Sequence, residues 1–207
     1  MTDIEVVNLK TQLGTAFEIA ISRHDTDAVT QSVRTGSSSL PVSVEMLLAG
    51  IPRKATVVDL GAHIGTFAIA AAAFGYNVIA VEASPRNVEL LQASVHLNNF
   101  NNLRVVPAAI ADRVGTTYFF ENGPYGVVNT SRFAPPGSFQ IVTTTVDELI
   151  SQLPIEAKIS FVKMDSRVQS LQRCRGCRNY SPRMRHRRFS MSQTDTPYIC
   201  LIRHQRC

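Results

Sequence analysis

Two acidic residues and two glycines form the pattern with the clearest chemical meaning in this sequence. Asp59 and Gly61 lie at the end of an apolar run, Gly65 follows four residues later, and Glu82 ends the next apolar run. Glycines at this spacing allow a tight turn from a strand into a helix, which places a ligand at the carboxyl edge of a sheet. An acid at the end of the second strand can accept two hydrogen bonds from ribose hydroxyls. The pattern therefore predicts a ligand that contains a nucleoside.

Charge discriminates between two such ligands. A dinucleotide site requires G-x-G-x-x-G, of which this turn has only Gly61 and Gly65, and Asp59 would repel a pyrophosphate. S-adenosylmethionine carries a sulfonium and an ammonium, and Asp59 would attract both. The charges favour S-adenosylmethionine as the cofactor, and no metal is expected at this site.

The segments around this turn predict a parallel sheet with helices wound around it. Apolar runs typical of buried strands alternate with segments of helical spacing, and Ser84 followed by Pro85 is a favourable helix start. The predicted strands lie at 56–60, 77–81, 103–106 and 159–164, an antiparallel pair at 116–120 and 139–143, and helices at 43–48, 67–74, from 85 onward and 145–153. We therefore expect a Rossmann-like α/β fold over residues 51–165.

The first fifty residues are predicted to form an N-terminal helical segment. Apolar residues recur at the spacing of a helix face between Glu5 and Ile21, namely at Val6, Leu9, Leu13, Phe17 and Ala20. The N-terminus has no signal-peptide layout and no apolar run reaches the length of a membrane span, so we expect a cytoplasmic location without a membrane partner.

Taken together, these motifs resemble the FkbM-type methyltransferases that depend on S-adenosylmethionine. The resemblance covers about residues 40–165 and consists of motifs in the same order, which are Asp59–Gly65, Val81–Pro85, Asn98, Ala108–Asp112 with Gly115, Val146–Leu149 and Val162–Asp165. It implies a class I methyltransferase fold and, for most of the family, O-methylation of a sugar or another small metabolite. A small-molecule acceptor is therefore expected, and a nucleic acid is disfavoured.

The resemblance also implies roles for individual residues. Asp59, Gly61 and Gly65 would bind the methionine side of the cofactor, Glu82 its ribose, and the segment from Ala109 to Asp112 would lie near the adenine. His63 stands where the family usually has asparagine, and it is either a catalytic base or a residue that shapes the turn. Asp165 ends the fourth strand, where the family places an acid that faces the active site.

The sequence changes character after Asp165. Residues 1–165 contain eleven basic and fifteen acidic residues, whereas residues 166–207 contain ten arginines, no lysine, one acid and all four cysteines. Ser166–Gln172 can be encoded so that a one-base change of reading frame gives Glu-Gly-Ser-Glu-Pro-Ala, the continuation typical of the family. We therefore interpret residues 166–207 as a disordered, out-of-frame basic tail, which sequencing of the gene tests.

This interpretation has a structural consequence. A class I methyltransferase sheet needs strands beyond the fourth, and a tail that cannot supply them leaves the edge of that strand open. We therefore expect an incomplete fold that is unstable or prone to aggregation, and inactive.

Two other interpretations of the tail remain open. Cysteines and histidines at 174, 177, 186, 200, 204 and 207 could form a zinc site, although the second cysteine pair is widely spaced. The arginine cluster between residues 183 and 188 could bind nucleic acid. The second interpretation corresponds to a different class of protein, a non-catalytic Rossmann-like module with a basic tail that binds RNA or DNA.

Overall fold

A computed structural model describes residues 3–36, 40, 42–122, 125–129, 134, 136–153, 159–164 and 198–201. In chain order its elements are β1 Ile4–Lys10, β2 Ala16–Ser22, α1 Ala28–Arg34, α2 Val42–Ala49, β3 Thr56–Leu60, α3 Thr66–Ala73, β4 Asn77–Glu82, α4 Pro85–Leu97, β5 Leu103–Pro107, β6 Ala109–Ile110, β7 Gly115–Asn122, β8 Tyr125–Asn129, β9 Phe139–Thr144, α5 Val146–Ser151, β10 Ile159–Met164 and β11 Tyr198–Leu201.

The central sheet has five strands in the order β11-β10-β3-β4-β5. The strands β10, β3, β4 and β5 are mutually parallel, as their apolar runs and the helices between them predicted. The order reverses at β3, because β4 and β5 lie on one side of it and β10 on the other. Ligands of open parallel sheets bind at the carboxyl ends of the strands at such a reversal. The predicted α/β fold with a parallel central sheet is confirmed.

The edge of β10 is occupied, contrary to the expectation of an open edge. Residues 198–201 form β11, which pairs antiparallel with β10. Antiparallel pairing needs no crossover helix, so a short segment of the tail can satisfy the backbone groups that β10 would otherwise expose.

Two apolar layers cover the two faces of the central sheet. On one face Val57 and Phe161 pack against helix α3, and the rings of Phe67 and Phe161 stack with centroids 5.5 Å apart. On the other face Val58 and Leu60 belong to a cluster with Leu149 of α5. Because side chains alternate between the faces of a strand, Asp59 lies on the same face as Val57.

A second sheet, in the order β6-β9-β7-β8, extends from the central one. The predicted antiparallel pair at 116–120 and 139–143 is confirmed as β7 and β9. β8 pairs with β7 and was not predicted.

The predicted helix between Glu5 and Ile21 is wrong, because β1 and β2 form an antiparallel hairpin there. The turn contains Gly14 at φ +90°, a left-handed conformation that favours glycine. In β2, Ile19 and Ile21 are fully buried, and β-branched residues suit an extended, packed strand better than a helix.

Polar side chains of α4 attach this hairpin to the core. The Ser94 hydroxyl accepts a hydrogen bond from the Ala20 backbone N–H at 2.8 Å, and the Asn98 carboxamide both accepts from and donates to the backbone of Glu18. The Arg86 guanidinium forms an ion pair with Asp25 at 2.6 Å. α4 thus satisfies backbone groups on the edge of β2 that would otherwise be buried without partners.

We expect Ser94→Ala to lower the free energy of unfolding by about 1–3 kcal/mol, because it leaves the buried Ala20 N–H without its acceptor. Ser151→Ala is the matched control, since the Ser151 hydroxyl only donates back to its own helix, to the Glu148 carbonyl. Urea denaturation of both variants measures the difference. Equal stabilities would show that the Ser94 bond does not attach the hairpin.

Within the described residues, no helix is both long enough and apolar enough to cross a membrane.

Candidate functional site

The glycine turn after β3 is built from three residues with positive φ. Gly61 has φ +78°, His63 +55° and Gly65 +90°. Glycine adopts such angles without strain, and among the other residues asparagine, aspartate and histidine tolerate them best. This explains why His63 can stand where the resembling family has asparagine.

The backbone donors of this turn are bound to acceptors of the protein itself. The N–H groups of Gly61 and Ala62 donate to the Val81 carbonyl at 3.0 and 2.9 Å, and that of Gly65 donates to the Ala62 carbonyl at 2.9 Å. The His63 N–H donates to the Glu82 carboxylate at 2.8 Å. A pyrophosphate needs free N–H groups at this position. The geometry therefore agrees with the exclusion of a dinucleotide.

Gly65 also lets two helices approach each other. A Cβ atom at this position would lie 2.2 Å from Cδ1 of Leu91 in α4. The close approach joins the start of α3 to α4, so the second glycine is required for packing as well as for the turn.

Glu82 is the acceptor-rich centre of the site. The residue is 8% exposed, and its carboxylate accepts from the backbone N–H groups of His63 and Ser84 at 2.8 and 2.9 Å. The side chain of Asn87, at the start of α4, lies at 3.5 Å from it. Each carboxylate oxygen has two lone pairs, so the group can still accept ribose hydroxyls. The structure thus joins Glu82 to the turn that follows Asp59.

Asp59 is fully buried and paired with a residue to which the sequence reasoning assigned no role. The Lys163 ammonium lies 2.9 Å from Oδ1 of Asp59 and donates a hydrogen bond to the Gly61 carbonyl at 2.9 Å. Lys163 and Asp59 occupy paired positions on the parallel strands β10 and β3. A register predicted from the sequence could have suggested this contact. Lys163 also offsets the negative charge of Asp59, which was expected to attract the positively charged S-adenosylmethionine.

A second carboxylate approaches the same region from the smaller sheet. The Ser84 hydroxyl caps the backbone N–H of Asn87 at the start of α4 and donates to the Glu121 carboxylate of β7 at 2.7 Å. Nothing in the sequence pattern predicted that Glu121 would lie here, since the contact depends on how β7 folds back.

The remaining predicted site residues lie in different environments. Ala109 is buried in β6, next to Ala108, whose N–H donates to the Glu82 carbonyl at 2.9 Å. Asp112 is exposed and lies 3.8 Å from the guanidinium of its neighbour Arg113. Asp165 lies outside the described residues. The structure thus places the beginning of the Ala109–Asp112 segment beside Glu82 and its end in solvent.

Metal binding was considered for the tail. Among the residues that the structure describes, no group of three or more histidines, cysteines and acids is arranged to hold a metal ion. Of the residues considered for a zinc site, Cys200 lies in β11 and the others lie outside the described ranges, as does the arginine cluster at 183–188.

A family model described as the TRM5/TYW2 methyltransferase domain matches residues 45–117. This segment contains Asp59, Gly61, Gly65 and Glu82, together with the strands and helices that position them. The central segment of the chain is therefore similar to a methyltransferase domain. This match bears out the predicted enzyme class and the predicted cofactor, S-adenosylmethionine, at the level of this segment.

Solved structures similar to this chain include methyltransferases with their ligands. P. horikoshii TYW2 in complex with MeSAdo is 19% identical with a TM-score of 0.34, over 52% of this chain and 36% of that one. M. jannaschii TYW2 in complex with AdoMet is 19% identical with a TM-score of 0.35, over 54% and 48%. The complex of aTrm5 and tRNALeu is 15% identical with a TM-score of 0.34, over 54% and 33%. This chain thus spans less than half the length of these proteins, and no curated protein matches it.

The comparisons correct two expectations about the methyltransferase domain. They support the methyltransferase class but not the FkbM family in particular. The expected small-molecule acceptor, with nucleic acid disfavoured, is contradicted by the match to the TRM5/TYW2 model. The error has a physical cause. The motif residues were assigned to the methyl donor, and one kind of donor site can serve acceptors of any size.

Proposed function

We propose that this chain is an S-adenosylmethionine-dependent methyltransferase that modifies RNA, with transfer RNA as the first substrate to test. The observation that carries the proposal is the match of residues 45–117 to the TRM5/TYW2 methyltransferase domain, because that segment includes the whole glycine turn and Glu82. FkbM membership, a cytoplasmic location and the out-of-frame origin of residues 166–207 stay predictions.

The chemistry of the site supports the donor half of this proposal. Glu82 offers carboxylate oxygens beside a turn whose own N–H groups are engaged, so the site favours a ligand that brings hydroxyl donors. The ribose of an adenosine ligand brings two. Glu82 supplies negative charge, and the partly exposed Lys163, although paired with the buried Asp59, supplies positive charge, which matches a ligand with both signs.

The reaction requires little from the protein beyond positioning and proton removal. S-adenosylmethionine supplies a methyl group on a positively charged sulfur, which leaves as a neutral thioether when a nucleophile attacks the methyl carbon. Residues on the carboxyl edge of the sheet would hold donor and acceptor in line, which lowers the entropic barrier. His63 and Asp165 stay the candidates for a residue that removes or orients the acceptor's proton.

The decisive experiment incubates the full chain with S-adenosylmethionine carrying a radioactive methyl group and an unmodified transfer RNA transcript. We expect label in the RNA, and loss of that label when excess S-adenosylhomocysteine competes for the donor site. A DNA duplex of similar length is the control for nonspecific transfer. If no RNA is labelled although the donor binds, the RNA assignment is contradicted. The proposed donor site is not affected by that result.

A further inference from the structure

Lys163 is a charged residue on a strand whose neighbours are mostly apolar. Its side chain is 15% exposed, against 0% for its partner Asp59. It lies at the carboxyl end of β10, where the order of the central sheet reverses and a ligand is expected. Burial of an ammonium is unfavourable unless it is well paired, so this lysine requires an explanation.

The contacts of Lys163 do not use all the hydrogen-bond donors of its ammonium. An ammonium has three N–H donors. One donates to the Gly61 carbonyl, and the ion pair with Asp59 engages a second. Among the residues that the structure describes, at least one donor therefore has no acceptor. Because the side chain is 15% exposed, an acceptor on a bound ligand can reach this donor.

We propose that Lys163 binds the α-carboxylate of the methionine part of S-adenosylmethionine, beside Asp59. The inference rests on the proposed function, and deepens it by naming the residue that recognises the amino acid end of the donor. That end is a zwitterion with an ammonium and a carboxylate on one carbon. Of the paired charges, only the Lys163 ammonium is partly exposed, so this pair offers a ligand a positive charge for its carboxylate.

The first test uses the natural chain and compares two ligands by calorimetry. Decarboxylated S-adenosylmethionine keeps the adenosine, the sulfonium and the amine, and lacks only the carboxylate. We expect it to bind about 10-fold to 100-fold more weakly than S-adenosylmethionine, the range for loss of one charge-assisted hydrogen bond. Equal affinities of the two ligands would overturn the role of Lys163 while leaving the donor site intact. Failure of every adenosine ligand to bind would instead overturn the proposed function.

The second test assigns the effect to Lys163. Lys163→Met removes the charge at similar size, and Lys163→Arg keeps it. We expect Lys163→Met to weaken S-adenosylmethionine binding about 10-fold to 100-fold, to leave methylthioadenosine, which has no amino acid end, nearly unchanged, and to abolish the preference over the decarboxylated ligand. Lys163→Arg should restore part of that preference.

An equal loss for all three ligands in Lys163→Met would mean that the lysine only neutralises Asp59, and would overturn the proposal. If Lys163→Met does not fold because Asp59 is left unpaired, Asp59→Asn combined with Lys163→Met removes both charges. In that double variant the preference for the carboxylated ligand should still disappear.

Discussion

The Glu82→Ala variant is expected to bind S-adenosylmethionine at least about 100-fold more weakly than the natural chain, because it removes a carboxylate that would accept two ribose hydroxyls. Two charge-assisted hydrogen bonds of about 1.5–3 kcal/mol each account for a loss of this size. The variant also leaves the backbone N–H groups of His63 and Ser84 without their acceptor. The turn itself is therefore expected to loosen, which adds to the loss.

Calorimetric titration with S-adenosylmethionine measures this effect, and two further variants isolate its cause. Glu82→Gln keeps the size and one carbonyl oxygen, so it should retain the fold and lose most of the affinity. Asp147→Ala removes an exposed carboxylate in the first turn of α5 and should leave the affinity unchanged. Donor binding by Glu82→Gln at the natural affinity would show that the ribose is not held here.

The Gly65→Ala variant is expected to lose about 2–5 kcal/mol of folding free energy. A residue with a Cβ is strained by about 1–2 kcal/mol at φ +90°, and a methyl group placed 2.2 Å from Leu91 Cδ1 adds about 1–3 kcal/mol of overpacking. The fully buried Leu91 side chain would have to move to admit it. Because this junction also shapes the glycine turn, donor binding should weaken together with stability.

Gly36→Ala is the matched control for Gly65→Ala. Gly36 has φ +71°, and no atom of the residues that the structure describes lies within 4 Å of the position that its Cβ would take. Only backbone strain of about 1–2 kcal/mol is expected there. Urea denaturation of both variants separates the cost of backbone strain from the cost of the steric clash with Leu91. If Gly65→Ala is no less stable than Gly36→Ala, the clash with Leu91 costs no measurable free energy.

The central sheet could be predicted because its signals are local. The apolar run of β3 and the turn at Gly61 lie next to each other in the sequence, and the caps of α4 and α5 are given by single residues. Ser84 and Thr145 accept the hydrogen bonds expected of N-cap residues, from the backbone of Asn87 and Glu148.

The N-terminal hairpin could not be predicted, because the decisive interactions are distant in sequence. The apolar residues of this segment fit a helical spacing as well as an extended one. The Ala20 backbone N–H donates a hydrogen bond to Ser94, 74 residues further along the chain. The Glu18 backbone N–H donates to Asn98, 80 residues further along. Such contacts decide between the two conformations and leave no trace in the local pattern.

In the candidate site too, some residues follow from the local sequence and others depend on contacts distant in sequence. Asp59, Gly61, Gly65 and Glu82 could be proposed from the sequence because each lies at the end of a predicted strand or in the turn that follows it. Lys163 and Glu121 reach the region through strand pairing and through the folding back of β7, and single-sequence reasoning assigned neither of them a role. The acceptor could not be predicted because the motif residues were assigned to the donor, and they carry no information about the acceptor.

The closed hydrogen bonds of the glycine turn have a consequence for the proposed binding of a methyl donor. The N–H groups of Gly61, Ala62, His63 and Gly65 have their partners before any ligand arrives. A ligand that enters therefore meets a loop that is already ordered, and little conformational entropy is lost when it binds. The affinity for such a ligand would then depend mainly on its hydroxyls and charges, because the binding site is ordered in advance.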